Sequence, residues 1–207
     1  MNCDPIAHWY RWLEYAGFGR ALERRRNAFL ADIADARRAL VMGEGDGRFL
    51  EKLVPLLFRN PGAAIDYVDV SARMLELARA RAGDCVRYVL GDALAIPLPE
   101  HEYDLIVTHF FLDCFDESDQ AALIERVAHA ARGNARWLIS EFRQPAAWAR
   151  GVVGLLYLFF RVTTGLATNR LADHRPTLQR CGFRMMKEEH ARFGLLASEL
   201  WVRESVQ

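Results

Sequence analysis

Three glycines at alternate positions, Gly43, Gly45 and Gly47, are the part of this sequence best suited to holding a ligand. A short apolar run, Ala39 to Met42, precedes them, and apolar residues at helical spacing follow them. This order predicts a buried strand, a tight turn and the start of a helix. A ligand can approach a glycine backbone closely, and the free N–H groups at a helix start can donate hydrogen bonds to it.

Acidic residues end two later apolar runs. Asp69 closes the run Ala63 to Asp69, roughly twenty positions after the glycines, where a carboxylate can accept hydrogen bonds from both hydroxyls of a ribose. The alternative is a negative charge at the start of the next helix, for which Ser71 is the predicted N-cap. Asp92 follows the third run, Cys85 to Leu90, in a Gly-Asp pair that is also common in ordinary turns.

Residues able to accept a proton follow the fourth apolar run, Tyr103 to Thr108. His109 has an ordinary pKa of about 6.5 and therefore suits a general base near neutral pH. A packed, hydrogen-bonded histidine is the alternative, and Asp113, Glu141 and His174 are further candidates for the base. Because an open parallel sheet places its ligand at the carboxyl ends of the strands, we expect His109 and Asp113 to face the reacting group.

Predicted strands and helices alternate from Ala39 to Phe142. This alternation predicts an α/β fold with a mostly parallel sheet covered by helices on both faces. The helix that begins near Glu117 is expected to end at Gly133-Asn134. Two final strands, Phe183 to about Glu188 and Leu195 to Arg203, are predicted to form an antiparallel hairpin that completes a seven-stranded sheet.

The first part of the chain, from Ile6 to about Ala36, is predicted to form two helices interrupted at Gly17 to Gly19. We expect these helices to lie over the open end of the glycine turn. Tyr10 and His8 are then candidates for contact with a cofactor or substrate, and aromatic packing is the alternative. The three arginines Arg24 to Arg26 are interpreted as a solvated helix face.

An unbroken apolar run, residues 151–160, lies between Arg150 and Arg161. Ten residues are too few to span a bilayer. Three interpretations remain open: a buried helix, a lid over an apolar substrate pocket, and an interfacial helix that dips into a membrane. A peripheral membrane contact or a homodimer contact through residues 150–161 is therefore a prediction.

The composition limits the partners and the compartment. The 207 residues suit one domain, and the 27 basic and 27 acidic residues balance, which argues against nucleic acid as an obligatory partner. The four cysteines lack the spacing of a zinc site or a disulfide framework, and no metal site is predicted. The first residues lack the pattern of a secretory signal. We therefore expect reduced thiols in a cytoplasmic protein.

The glycine spacing separates two classes of cofactor. The dinucleotide fingerprint needs its third glycine three residues after the second, and Arg48 occupies that position. The spacing Gly-x-Gly-x-Gly instead resembles motif I of the class I S-adenosylmethionine (SAM)-dependent methyltransferases. The segment Asp69 to Leu75 closely resembles the second motif of that family, Asp-x-Ser-x-x-Met-Leu, and Gly91 to Ala93 and Tyr103 to Thr108 resemble its later motifs in order. Val41 departs from the pattern, since the family usually has an acid there.

The resemblance implies a Rossmann-like methyltransferase that transfers a methyl group from SAM. The aromatic residues after His109 and the apolar run 151–160 predict a small, hydrophobic acceptor, such as a quinone-like ring, a polyketide-type molecule or a lipid head group. The resemblance implies that the cofactor is held by residues of these motifs, namely Gly43, Glu44, Gly45, Gly47, Asp69, Val70, Met74, Gly91, Asp92, Ala93, Thr108 and His109. Glu44 is expected to approach the amino end of the cofactor. The predicted acceptor contacts are Tyr10, Phe110, Glu141 and Arg143.

Two other functions remain as alternatives. One is a non-catalytic SAM-binding interaction module, and the other is a nucleotide-dependent oxidoreductase, against which Arg48 and the predicted hairpin count. The chain is predicted to be a single domain, 1–207. Its predicted parts are an N-terminal helical cap (1–37), a cofactor-binding core (38–144), a helical insertion or lid (145–176), and the end of the last helix with the hairpin (177–207).

Overall fold

The computed structural model of the protein describes residues 20–143 and 172–204. The first predicted helix with Tyr10 and His8, the apolar run 151–160 and most of the predicted lid lie outside these residues. The helical cap and the lid therefore remain predictions. In the described ranges, no helix has the length and apolar character needed to cross a bilayer.

The described residues form seven strands and five α-helices, which alternate through most of the chain. The strands are β1 (Arg38–Met42), β2 (Ala64–Asp69), β3 (Arg87–Leu90), β4 (Tyr103–His109), β5 (Ala131–Phe142), β6 (Phe183–Ala191) and β7 (Leu196–Arg203). The helices are α1 (Ala21–Arg26), α2 (Leu50–Leu57), α3 (Ala72–Ala82), α4 (Glu117–Ala130) and α5 (Arg175–Arg180). Two 3-10 turns, Leu30–Ile33 and Leu112–Cys114, follow α1 and β4.

All seven strands belong to one sheet with the order β3-β2-β1-β4-β5-β7-β6. Strands β1 to β5 pair in parallel, and β7 runs antiparallel to both β5 and β6. The predicted fold class, a mostly parallel sheet with a terminal antiparallel hairpin, is confirmed. The carboxyl ends of the parallel strands, at Met42, Asp69, His109 and Phe142, lie along one side of the sheet, named here the carboxyl edge.

Alternate residues of the central strand β1 pack on opposite faces of the sheet. Leu40 and Met42 belong to the core that contains Leu123 of α4. Val41 belongs to the other core, with Leu53 of α2. Because helices cover both faces, the strand reads as a continuous apolar run rather than an alternating one.

The outer strand β6 carries charged side chains along much of its length. These are Arg184, Lys187, Glu188, Glu189 and His190, with histidine charged only when protonated. Several of them pair with neighbouring elements: Glu189 contacts Arg25 of α1, and Glu188 contacts Arg175 of α5. The sheet therefore ends on this side in a polar strand.

Two predicted helix boundaries are wrong. The second N-terminal helix is limited to six residues, and the apolar residues after it form a separate 3-10 turn, Leu30–Ile33. Helix α4 ends at Ala130 rather than at Gly133-Asn134. The reason is pairing: Ala131 already lies opposite Tyr103 of β4, and the next paired residue is Arg136, so Gly133 and Asn134 bulge from β5.

Candidate active site

The glycine turn lies at the carboxyl edge, between β1 and α2. Gly43, Gly45 and Gly47 have φ values of +60°, +82° and +84°, a region that L side chains rarely adopt. A Cβ on Gly47 would lie 2.5 Å from the Cα of Ala78 in α3. A Cβ on Gly43 would lie 2.0 Å from a ring carbon of Phe111. The turn thus needs glycine for conformation and for close packing.

Glu44 points back into the protein from the middle of this turn. Its Oε1 accepts a hydrogen bond of 2.9 Å from the N–H of Phe49, just before α2. Its Oε2 is buried and has no hydrogen-bond partner among the described residues. Burial raises the pKa of Glu44 to about 7, although the positive charge of Arg26 opposes the shift. The predicted approach of Glu44 to the amino end of a cofactor stays a prediction.

Asp69 lies at the end of β2, next to the glycine turn. Its Oδ1 accepts a hydrogen bond of 2.8 Å from the N–H of Ser71. The hydroxyl of Tyr67 lies 2.9 Å from Oδ2 of Asp69 and 2.7 Å from the carbonyl oxygen of Gly45, and it can donate its proton to either acceptor. Burial and the charge of Asp69 raise the pKa of Tyr67 well above its ordinary value, so the hydroxyl keeps its proton. Tyr67 therefore links the strand-end carboxylate to the glycine turn.

The predicted N-cap Ser71 is confirmed. Its Oγ accepts a hydrogen bond of 3.1 Å from the N–H of Met74, which satisfies one free donor at the start of α3. The Met74 side chain is buried, whereas the neighbouring Val70 is 45% exposed. The second motif thus presents Asp69 and Val70 at the carboxyl edge and uses Ser71 and Met74 to fix the helix.

The Gly-Asp turn after β3 lies beside Asp69. The N–H of Gly91 donates a 3.0 Å hydrogen bond to the carbonyl oxygen of Asp69. Asp92 is exposed and accepts a 2.9 Å hydrogen bond from the N–H of Leu94, and Ala93 is buried behind it. The third motif and the second motif are therefore adjacent in space, as the resemblance implies.

The end of β4 buries a histidine whose ring nitrogens are unsatisfied. His109 is 1% exposed, its ring meets Phe49 edge-to-face at 4.6 Å, and neither ring nitrogen has a hydrogen-bond partner among the described residues. Burial, aided by the charge of Arg26, lowers the pKa of His109 well below its ordinary value. His109 is therefore neutral at pH 7. Thr108 next to it is fully buried and accepts a 3.0 Å hydrogen bond from the indole N–H of Trp137.

Arg26 is buried rather than solvated, so its interpretation as part of an exposed helix face is wrong. It is 3% exposed, and its guanidinium carbon lies 5.2 Å from the ring centroid of Phe110. Phe110 has a φ of +53° and packs against Phe142 with 5.1 Å between centroids. The positions of Leu22 and Arg26, four apart on one face of α1, explain the burial, since both face the sheet.

Two carboxyl groups meet beside the aromatic residues. Asp113 and Glu141 are both buried, and their carboxyl groups are close enough to interact electrostatically. Glu141 Oε1 also accepts hydrogen bonds from the N–H groups of Phe111 (3.2 Å) and Leu112 (2.9 Å). Burial raises the pKa of Asp113 to about 6, and burial with the charge of Asp113 raises the pKa of Glu141 well above its ordinary value. Burial of the two groups therefore disfavours two carboxylates side by side near neutral pH.

A cleft of about 190 Å³ opens onto this carboxyl pair. His174 and Arg143 line its other side. Both are bound to the buried Glu199 of β7: the His174 Nε2 lies 3.0 Å from Glu199 Oε2, and the Arg143 guanidinium forms an ion pair with Oε1. Arg143 is thus held by Glu199 at the rim of the cleft where an acceptor contact was predicted.

Three residues that organise the site were absent from the predicted set. Tyr67 was part of an apolar run, and only the pairing of β1 with β2 shows that its hydroxyl reaches the turn. Arg26 was one of three adjacent arginines. Glu199 offered a usable signal, because an acid inside the apolar run Leu196–Arg203 must find buried partners.

Comparison with known proteins agrees with the motif assignment. Residues 39–134 match a family model described as a methyltransferase domain. The demethylmenaquinone methyltransferase of Thermus thermophilus is 33% identical over 144 residues, which make up 68% of this chain and 63% of that protein. The chain thus spans less than two thirds of that relative's length.

Solved methyltransferase structures share the fold. The N-methyltransferase NodS from Bradyrhizobium japonicum, in complex with S-adenosyl-L-homocysteine (SAH), matches 89% of this chain and 89% of its own with a TM-score of 0.66 and 15% identity. The magnesium protoporphyrin IX methyltransferase from Synechocystis, with bound SAH, matches 98% of this chain and 97% of its own with a TM-score of 0.67 and 17% identity. At sequence identities of 15% and 17%, these matches show a shared fold and nothing further.

The motif order, the sheet and the matched domain confirm the resemblance of this chain to the class I SAM-dependent methyltransferases. Residues 39–134 are the part that matches the methyltransferase domain. SAM is the cofactor of the class.

Proposed function

We propose that this protein transfers a methyl group from SAM to a small, aromatic acceptor. The observation that carries the proposal is the direct link between two cofactor motifs: the Tyr67 hydroxyl reaches both the Gly45 carbonyl and the Asp69 carboxylate. When bound, SAM supplies an electrophilic methyl group on its sulfonium. The protein must then hold the cofactor, orient the acceptor and exclude water.

The residues at the carboxyl edge fit this cofactor. Gly43 and Gly45 of the glycine turn are partly exposed, and Asp69 is partly exposed where ribose hydroxyls would need an acceptor. Asp92 and Val70 are exposed beside Asp69, where an adenine would be flanked by a carboxylate and an apolar surface. The unpartnered buried oxygen of Glu44 is a polar group suited to a cationic ligand group at the turn.

Asp113 is our preferred proton acceptor, with His109 as the second candidate. An acceptor that carries a proton must lose it, and a carboxylate whose pKa lies near 6 can take it at neutral pH. Asp113 lines a cleft that also contains Glu141, His174 and Arg143, so several hydrogen-bonding groups can orient a polar ring substituent. The neutral His109 has two unsatisfied nitrogens and can accept a hydrogen bond from a bound ligand.

The aromatic residues next to the carboxyl pair favour a planar, apolar acceptor. Phe111 meets Phe115 edge-to-face at 5.1 Å, and Phe110 packs on Phe142. Aromatic faces stack well on a ring of similar size. The Thermus thermophilus relative is named for demethylmenaquinone, a quinone, which supports a quinone-like or phenolic ring as the acceptor.

The proposed compartment is the cytoplasm. Cys85, Cys114 and Cys181 are free thiols in the described part of the chain, which agrees with a reducing environment.

Binding of SAM and SAH by titration calorimetry tests the cofactor site. We expect Asp69→Asn to weaken binding at least about tenfold, or about 1.4 kcal/mol, because the amide cannot accept from two ribose hydroxyls as a carboxylate does. Tyr67→Phe should weaken binding less, because it removes only the hydroxyl that positions Asp69. Asp84→Asn is the matched control, since the Asp84 side chain is 91% exposed at the far end of α3.

Three outcomes would contradict the proposal. Unchanged affinity in Asp69→Asn would remove the ribose role. A thermal shift with NAD or NADP but not with SAM would favour the oxidoreductase. Binding of SAM without methyl transfer to any member of a broad panel of quinols and phenols would favour the non-catalytic module.

A further inference from the structure

Four arginines surround a second cleft on the opposite side of α1 from the buried Arg26. The cleft has a volume of about 420 Å³ and lies between α1 and the turn that joins β6 to β7. Its charged lining residues, named here the basic patch, are Arg20, Arg24, Arg25 and Arg192. None of the residues assigned to methyl transfer lines this cleft.

Two of the four arginines of the basic patch carry charge that no ion pair compensates within the described ranges. Arg25 forms an ion pair of 3.0 Å with Glu189 of β6. Arg20 and Arg24 are exposed, and neither lies within ion-pair distance of an acid in the described ranges. A concentration of positive charge in one cleft raises the local potential and attracts anions.

An exposed aromatic ring adjoins the patch. Phe193 follows Arg192 in the β6–β7 turn and is 93% exposed, the largest value among the exposed large apolar residues of the described chain. Both residues have positive φ values, +52° and +56°, so the turn holds a non-glycine backbone in a costly conformation. A fully exposed phenylalanine beside arginines combines the two side-chain types found at membrane interfaces.

The patch faces the same side of the molecule as the cofactor motifs. The Ser140 and Ser198 hydroxyls both donate hydrogen bonds to the carbonyl oxygen of Arg25, at 3.1 Å and 2.7 Å, which ties α1 to β5 and β7 near their carboxyl-edge ends. The N–H of Arg143 donates a 2.8 Å hydrogen bond to Leu195 in the β6–β7 turn. A surface that docks against the patch would therefore lie next to the carboxyl edge.

We propose that the basic patch and Phe193 bind the surface of an anionic lipid bilayer. Charge complementarity attracts the arginines to the lipid phosphates, and the Phe193 ring enters the boundary between headgroups and acyl chains. This binding is separate from methyl transfer and extends the proposed function, because an apolar acceptor dissolved in the bilayer would then reach the carboxyl edge directly.

Vesicle flotation tests the proposal with vesicles of phosphatidylglycerol and phosphatidylcholine, and of phosphatidylcholine alone. We expect binding to the anionic vesicles only, and weaker binding at high salt. Each arginine near an anionic membrane surface strengthens binding about fivefold, so Arg20→Gln with Arg24→Gln should weaken binding at least about tenfold. Phe193→Ser should weaken binding to the same vesicles without changing its salt dependence.

Matched variants at the opposite side of the sheet control for charge and apolar area. Arg37→Gln with Arg59→Gln removes the same charge from two exposed arginines there, and Phe58→Ser replaces another exposed phenylalanine. These variants should bind vesicles as the unchanged protein does, and SAH binding should persist in every variant. Equal binding to neutral vesicles, or no binding to any vesicle, would overturn the proposal. Displacement of the protein from the vesicles by millimolar inorganic phosphate would overturn it as well. Unchanged binding in both patch variants would also overturn it and would indicate that the run 151–160 binds the membrane instead.

Discussion

Asp113 illustrates how burial can prepare an ordinary carboxyl group for proton transfer. In water its pKa would be near 4, too low for an effective base at neutral pH. Burial raises the pKa of Asp113 to about 6, and the thiol of Cys114 lies 3.7 Å from Oδ1 as a weak donor. The side chain is thus held between a carboxyl group and a thiol at the wall of a cleft.

We expect Asp113→Asn to lower the methyl-transfer rate by roughly 10²- to 10⁴-fold, because an amide cannot accept the proton. In the unchanged protein the rate should rise with pH through about 6, as the raised pKa of Asp113 is passed and the carboxylate forms. The rate is measured by SAH production with a phenolic or quinol acceptor. The affinity of the variant for SAH should stay unchanged, which would show that the variant is folded and has lost only the proton acceptor. Full activity in the variant would contradict this role of Asp113 and would favour His109 as the proton acceptor.

The role of a single residue could be predicted from the sequence where a local motif determines that role. Ser71 caps α3 because its hydroxyl accepts a hydrogen bond from the N–H three residues later, and this local contact does not depend on the rest of the fold. Arg26 was misinterpreted because three adjacent arginines look equivalent until the packing of Leu22 decides which one is buried. The role of Tyr67 depends on the register of two strands, which no local pattern contains.

At the scale of elements, the glycine turn joins β1, α2 and α3 into one unit. Gly47 allows the backbone of α3 to approach, because even a methyl group would overlap the Cα of Ala78. Gly62 has a similar φ of +74° but faces open space. The two glycines therefore differ in packing and share the same backbone requirement.

We expect Gly62→Ala to lower the free energy of unfolding by about 1–2 kcal/mol through the positive φ alone. Gly47→Ala should cost about 1–3 kcal/mol more, because overpacking against a helix backbone adds to the same strain. Urea denaturation followed by circular dichroism measures both values. Equal losses in the two variants would show that α3 can shift away from the turn.

Element order was predicted well because the apolar runs and glycines of this chain mark each strand. The end of α4 was predicted too late in the chain, since Gly133-Asn134 is an ordinary helix stop and only the pairing of Ala131 with Tyr103 ends the helix earlier. The pairing of distant strands is a tertiary effect, and it overrides the local signal.

At the scale of the whole molecule, Glu199 joins segments that are far apart in the chain. It is 1% exposed and binds Arg143 after β5, His174 and Arg175 at the start of α5, and the indole N–H of Trp201. Burial alone would raise the pKa of Glu199, but the His174 hydrogen bond and the nearby positive charges hold it well below the ordinary value. The folded state therefore favours the carboxylate.

A carboxylate with a lowered pKa stabilises the folded state above its unfolded pKa, near 4.3, and this contribution is lost as the pH falls below that value. We expect Glu199→Gln to lower the free energy of unfolding by about 1–3 kcal/mol at pH 7, since the neutral amide removes the buried charge that the partly exposed Arg143 and Arg175 share. Below pH 4 the difference between variant and unchanged protein should shrink. Denaturant titrations at pH 7 and below pH 4 measure the free energy of unfolding of both proteins. A loss of stability that is the same at the two pH values would show that packing rather than charge is responsible.

The charged outer strand β6 has a consequence for assembly. An open strand edge offers unpaired backbone groups to a second copy, and fibre-like growth starts from such edges. Two copies that joined through β6 would have to remove water from its charged side chains, including Lys187, Glu188 and Glu189. The polar margin of the sheet thus disfavours strand-by-strand polymerisation and helps the folded protein remain dispersed at high concentration.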